Sequence, residues 1–214
     1  MRYLLIGLVV GLFAVTPRPL QAQDTAELPT FKVGDNWTYQ RTNKFNRTRT
    51  GKFVVTVTSV SGSGFATSTK VIEGAAKDEV GEYTTEMNAL KDNDRKFTPY
   101  VPYFSFPLAP GKAWEGSWKY SVWGKKNKME TFNATMKSRV EGWEIVTTPA
   151  GEFNALKIVF EATHANPHSG RGKETKGTRW YCPEVRRIVR NEVSDEGGNG
   201  KGEVTELVSF SPAN

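Results

Sequence analysis

Polar and apolar residues alternate with a period of two through most of this chain. Between Ala113 and Val122, Trp114, Trp118, Tyr120 and Val122 fall on one side, and Glu115, Ser117, Lys119 and Ser121 on the other. Between Phe132 and Val140, Phe132, Ala134, Met136 and Val140 share a face opposite Asn133, Thr135, Lys137 and Arg139. Successive side chains of an extended backbone point to opposite faces, so this pattern predicts half-buried strands. Further strands are expected over 36–41, 53–60, 65–73, 82–90, 152–162, 174–181, 187–194 and 203–210. Gly, Asn, Ser and Pro clusters separate them, as at Ser61-Gly62-Ser63-Gly64 and in the run 196–202. No apolar series at helical spacing persists beyond the first 22 residues. The expected fold is all-β, an antiparallel curved sheet or open barrel-like structure.

The order of motifs suggests two related β halves. Gly34 and Trp37 in the first half correspond to Gly111 and Trp114 in the second. Each pair is followed by a basic hairpin tip, a strand opening with Phe (Phe53, Phe132) and a Gly-Glu-aromatic turn (Gly81-Glu82-Tyr83, Gly151-Glu152-Phe153). Order is kept while spacing drifts, as a divergent internal duplication would leave it. The division is a segment 1–22, a first β half 23–98, a Pro-rich connector 99–110 and a second β half 111–214. Pro99, Pro102, Pro107 and Pro110 stiffen the connector.

Segment 1–22 combines Arg2, the apolar run Leu4–Val15 and the small-residue site Leu20-Gln21-Ala22. Twelve apolar residues are too few to span a bilayer, which takes about 20, and the arrangement is that of a secretory signal peptide. The product is expected to be periplasmic or secreted, soluble after cleavage, with no later transmembrane segment. Removing Arg2 and Arg18 lowers the net charge from +6 to +4. That small excess gives no reason to expect a nucleic-acid partner. The basic clusters Arg41/Lys44/Arg47/Arg49, Lys125/Lys126/Lys128 and Arg186/Arg187/Arg190 read as solvated hairpin tips that protect strand edges.

The second half resembles the TapB-like family of exported bacterial proteins, a domain-of-unknown-function group, over about Phe106–Val193. The resemblance rests on Pro149-Ala150-Gly151-Glu152-Phe153-Asn154-Ala155-Leu156 and on Trp180-Tyr181-Cys182-Pro183-Glu184-Val185. It implies a β-rich periplasmic module and transfers no catalytic residues. Arg186 stands where the family pattern leads one to expect Gly, which could shift the local turn. Gly151 is expected to supply a positive φ at its turn, with Phe153 packing beyond it.

Candidate chemistry is sparse. His164 and His168 are the only histidines and Cys182 the only cysteine. A His164/His168 pair spaced as in a zinc site lies in a loop-like stretch with no evident third ligand, and Cys182 carries no nucleophile signature around it. No catalytic, cofactor-binding or metal residues are assigned. The leading reading is a non-catalytic exported module binding an envelope protein or other envelope component. The alternatives are a hydrophobic-ligand or lipid carrier, and a hydrolase-type enzyme using Cys182 or the His164/His168 pair. For the carrier, the aromatic residues Trp114, Trp118, Tyr120 and Trp123, with Tyr100, Tyr103, Phe104 and Phe106 of the connector, offer a groove between sheet and connector.

Overall fold

The structure, a computed structural model, describes residues 25–93, 95–123, 128–167, 170, 172–195 and 202–213. Segment 1–22, read above as a signal peptide, and Lys125, Lys126 and His168 lie outside the described residues. Twelve strands follow one another in the order β1 (Asn36–Asn43), β2 (Arg49–Ser61), β3 (Gly64–Gly74), β4 (Glu79–Thr84), β5 (Ala89–Asp92) and β6 (Arg95–Val101), then β7 (Ala113–Trp123), β8 (Met129–Thr148), β9 (Gly151–Ala165), β10 (Gly172–Cys182), β11 (Arg187–Asp195) and β12 (Gly202–Ser211). Each pairs antiparallel with its chain neighbour, and β1 pairs with β12 from Asn36 opposite Ser211 to Asn43 opposite Glu203. The all-β expectation therefore holds, and the sheet closes into a barrel. Closure leaves no unpaired edge to be blunted.

Alternation decides which side chains fill the interior. On β8, Ala134, Met136, Ser138 and Val140 are buried, while Asn133, Thr135, Lys137 and Arg139 are exposed. The outward face of this stretch is thus polar and charged. No helix among the described residues is long and apolar enough to cross a membrane. The core forms two clusters. The larger contains Trp37, Leu156, Ile158, Tyr181, Val189 and Leu207, and the smaller contains Phe97, Trp118, Met136 and Phe160. Tyr83 and Tyr103 pack against both.

Three local expectations change. The single strand expected over 82–90 is split into β4 and β5 by a tight turn. There Met87 N–H donates to Thr84 O at 3.0 Å and Met87 itself has φ 64°. Gly81 consequently lies within β4, so its Gly-Glu-aromatic triplet is not a turn like that at Gly151. The connector is not wholly irregular, since its first residues complete β6. In contrast, Gly151 has φ 128° and Phe153 is buried beyond it, as expected. The tip of the β8–β9 hairpin curls over the sheet. Ala150 N–H donates to Leu207 O of β12 at 3.1 Å, and Phe153 meets Phe210 edge-on at 6.4 Å.

The two Gly-x-x-Trp segments share one backbone pattern. Gly34 N–H donates to Val57 O and Val57 N–H to Asp35 O, both at 2.9 Å. Gly111 N–H donates to Val140 O and Val140 N–H to Lys112 O, at 2.9 and 2.8 Å. Each glycine has a positive φ, 97° and 83°, which a side chain would resist. Trp37 opposes Val55 and Trp114 opposes Ser138, in both cases two residues before the paired valine. Their surroundings differ. Trp37 is fully buried with its indole N–H on Val185 O at 3.0 Å, whereas Trp114 is half-buried with its indole N–H on Pro102 O at 3.0 Å.

Candidate ligand cavity

A cavity of about 310 Å³ lies among side chains of β1–β4, β10 and β11 and of the segment after β6. Its apolar wall comes from Phe53, Val55, Phe65, Tyr83, Met87 and Phe104. Ring packing holds this wall: Tyr39 stacks on Phe53 at 5.5 Å and Phe65 on Tyr83 at 5.1 Å. Phe104 is fixed by Asn88, whose buried side chain bridges both polar groups of the Phe104 backbone. Phe104 N–H donates to Asn88 Oδ1 at 2.8 Å, and Asn88 Nδ2 donates to Phe104 O at 3.0 Å. A buried amide satisfied in this way sets the segment after β6 at a fixed depth.

Three arginines also line the cavity: Arg41 of β1, Arg179 of β10 and Arg187 of β11. Arg179 and Tyr181 have the inward parity of β10, so the guanidinium enters the interior between the two core clusters. It lies 4.6 Å from the Tyr103 ring centre and 3.9 Å from that of Phe160. Burial lowers its pKa to about 10, partly offset by the nearby Tyr103 hydroxyl. Arg187 covers the Trp37 ring at 4.7 Å and Arg41 the Phe53 ring at 4.5 Å. Tyr39 donates its hydroxyl to Ile188 O at 2.8 Å, and burial raises its pKa despite Arg187 nearby. Burial likewise raises that of Tyr103.

A larger depression of about 820 Å³ lies on the outer face of β7–β11, lined in part by Trp114, Glu115, Lys137, Glu161 and Lys176. Its charges form a cross-strand ladder that is already complementary. Lys137 meets Glu115 at 4.0 Å and Lys176 meets Glu161 at 3.4 Å. Such exposed pairs are screened and contribute little.

The structure relocates several expected residues. Arg41 and Arg187, read as solvated tips, line the cavity, while Arg190 is paired with Glu192 at 2.7 Å and Glu206 at 3.0 Å. Of the aromatic groove, Tyr103 and Phe104 reach the cavity, Trp118 is core, and Trp123 is 66% exposed. The groove between sheet and connector is therefore replaced by a cavity inside the barrel. Arg179 escaped the sequence reading altogether. The available signal was parity, because Thr175, Gly177, Arg179 and Tyr181 share one face of the strand.

Among the described residues, which leave out His168, the enzyme readings gain no geometry. Cys182 is buried, and burial raises its thiol pKa against hydrogen bonds from the Val185 and Glu184 backbone. His164 opposes Lys173 near the far end of β10, so it lies about 30 Å from Cys182 at about 3.3 Å per strand residue. Its Nδ1 is 3.0 Å from the Tyr120 hydroxyl, and burial lowers its pKa. Among the described residues no three His, Cys, Asp or Glu are grouped to hold a metal.

Comparison with known proteins gives a family match over part of the chain. Residues 117–205 match a family model described as DUF3108-like, which overlaps the stretch read above as TapB-like and carries a different name. Among curated proteins nothing matches. Similar solved structures include two at 18% identity. One is a protein assigned as a lipoprotein from Parabacteroides distasonis, 18% identical, with a TM-score of 0.52, covering 88% of this chain and 100% of its own. The other is assigned as an exported protein with a YmcC-like fold from Bacteroides fragilis, 18% identical, TM-score 0.53, covering 87% of this chain and 99% of its own. At this identity the likeness shows a shared fold.

Proposed function

We propose that this chain is an exported, non-catalytic β-barrel module whose interior holds a small amphipathic ligand. The observation that carries the reading is the 310 Å³ cavity, whose aromatic and aliphatic wall is interrupted by a few convergent polar groups. That composition and size are those of a small-molecule site. Export is supported by the signal-like segment 1–22 and by the assignment of both similar structures as exported or lipoprotein. Among the described residues Cys182 and His164 stand beside opposite ends of β10, so this pair offers the hydrolase alternative no support.

The test is titration of the purified mature chain with the neutral probe N-phenyl-1-naphthylamine, alongside native mass spectrometry for co-purifying lipid. Saturable one-to-one binding is expected, abolished in Val55→Trp, which fills the cavity, with the circular dichroism spectrum retained. Binding that does not saturate, or that survives Val55→Trp in a folded protein, sinks the reading. A protein or envelope partner would then take the lead, with the outer depression of β7–β11 as its place.

A further inference from the structure

The interior charge of this barrel is lopsided. Arg41 Nε, Arg179 Nη1 and Arg187 Nη1 are each buried without a hydrogen-bond partner, and all three residues line the same cavity. Arg41 has the nearest thing to a counterion, Glu203 at 3.6 Å, itself half exposed. Among the described residues Glu79 is the one carboxylate lining the cavity, and it is exposed at the rim. Arg179 has no carboxylate partner among the described residues and faces the rings of Tyr103 and Phe160. Ring faces attract a cation but do not accept the directed hydrogen bonds of a guanidinium fork.

A buried charge without a partner is costly to hold, and natural interiors pair or coordinate such groups. Elsewhere this chain follows that rule: Arg186 meets Asp35 and Arg190 meets two glutamates. Among the described residues the departure is confined to the cavity, where an apolar wall and unpartnered guanidinium nitrogens meet. We infer that the cavity selects a single-chain anionic amphipath, with its oxyanion head on Arg179 and its apolar tail against Phe53, Phe65, Tyr83, Met87 and Phe104.

The planar guanidinium matches a carboxylate or phosphate head with two parallel N–H···O bonds. Arg41 and Arg187 add positive potential from two sides. The Asn191 side chain, whose Oδ1 also lacks a donor, would in its other amide orientation offer an N–H to the same space. The volume, at the small end of ligand sites, suits one chain and not a two-chain lipid.

This inference rests on the cavity reading, and the experiment separates the two. The mature chain is titrated with dodecanoate, dodecanol and acetate, for wild type and Arg179→Met. Wild type is expected to bind dodecanoate at least about tenfold more tightly than dodecanol, the order expected of charge-assisted hydrogen bonds. Arg179→Met should abolish that preference while dodecanol binding is retained. Should Arg179→Met fail to fold, Arg187→Gln should reduce the preference in the same direction. Equal binding of acid and alcohol, or a preference that survives Arg179→Met, overturns the anion inference and leaves the cavity reading standing. Acetate binding as tightly as dodecanoate overturns the role of the tail. Binding of neither long-chain probe to folded wild type overturns both.

Discussion

Asp35 and Arg186, 151 residues apart, meet at 3.0 Å and tie three parts of the chain together. Asp35 is fully buried. Its carboxylate also accepts Lys32 N–H and Ala213 N–H, each at 2.8 Å, while Arg186 donates to Thr30 O at 2.6 Å. The segment before β1, the β10–β11 turn and the residues after β12 are thus held at one point. The same contact accounts for an arginine at a turn position where the TapB-like resemblance implied glycine. Arg186 has φ 60°, the left-handed region that glycine adopts without strain. The turn keeps that conformation, and the Asp35 and Thr30 bonds hold the arginine in it.

Asp35→Asn should therefore lower stability by about 2–3 kcal/mol, the scale of a lost charge-assisted bond in a buried site. Burial raises the Asp35 carboxyl, but the backbone bonds from Lys32 and Ala213, with Arg186, outweigh it and hold it below its ordinary 3.8. A group depressed on folding stabilises above its unfolded pKa and loses that contribution as pH falls through the folded one. The melting-temperature gap between wild type and Asp35→Asn should be constant above pH 3.8 and close below it. A gap that widens in acid would contradict this.

Trp37 and Trp114 share a local motif but not an environment. Trp37→Ala should cost about 3–5 kcal/mol, as for a buried aromatic, and Trp114→Ala distinctly less. Chemical denaturation of the two variants checks the difference. Equal losses would mean that the half-buried ring carries as much packing as the buried one.

Gly177→Ala should be destabilising by about 1–3 kcal/mol. An added Cβ would sit 2.5 Å from Phe160 Cζ and against the Glu192 carbonyl oxygen. Phe160 is one of the two rings flanking Arg179, so the variant should also weaken dodecanoate binding more than dodecanol binding. Unchanged melting and binding would show that the ring can move aside.

Arg179→Met should hold or raise stability in the absence of ligand, by up to about 1–4 kcal/mol, since it replaces an unpartnered interior charge with a packing side chain. Thermal melts of lipid-free protein test this. A drop of several degrees would mean that the Tyr103 and Phe160 contacts already satisfy the guanidinium.

Cys182 should resist thiol reagents in the native state and react fully in denaturant. Its burial both blocks access and disfavours the thiolate. Rapid native labelling at neutral pH would show that the end of β10 opens.

The sequence by itself determined the strand content, because alternation such as Asn133/Ala134/Thr135/Met136 suits only a pleated backbone with one buried face. It also marked the Gly151 turn, where chemistry local to four residues sets the conformation. The boundary between β4 and β5 was hidden because Met87 adopts a positive φ that its side chain gives no reason to expect. Closure was decided only in three dimensions, since the pairing of β1 with β12 joins residues about 170 positions apart and leaves no local mark. The same holds for the cavity. Arg41, Arg179 and Arg187 belong to three strands, and an arginine on an inward face reads like any strand charge until curvature shows what it faces. The Asp35–Arg186 latch is the clearest case: neither residue explains itself, and only folding brings the carboxylate to the arginine that the turn would otherwise strain to hold.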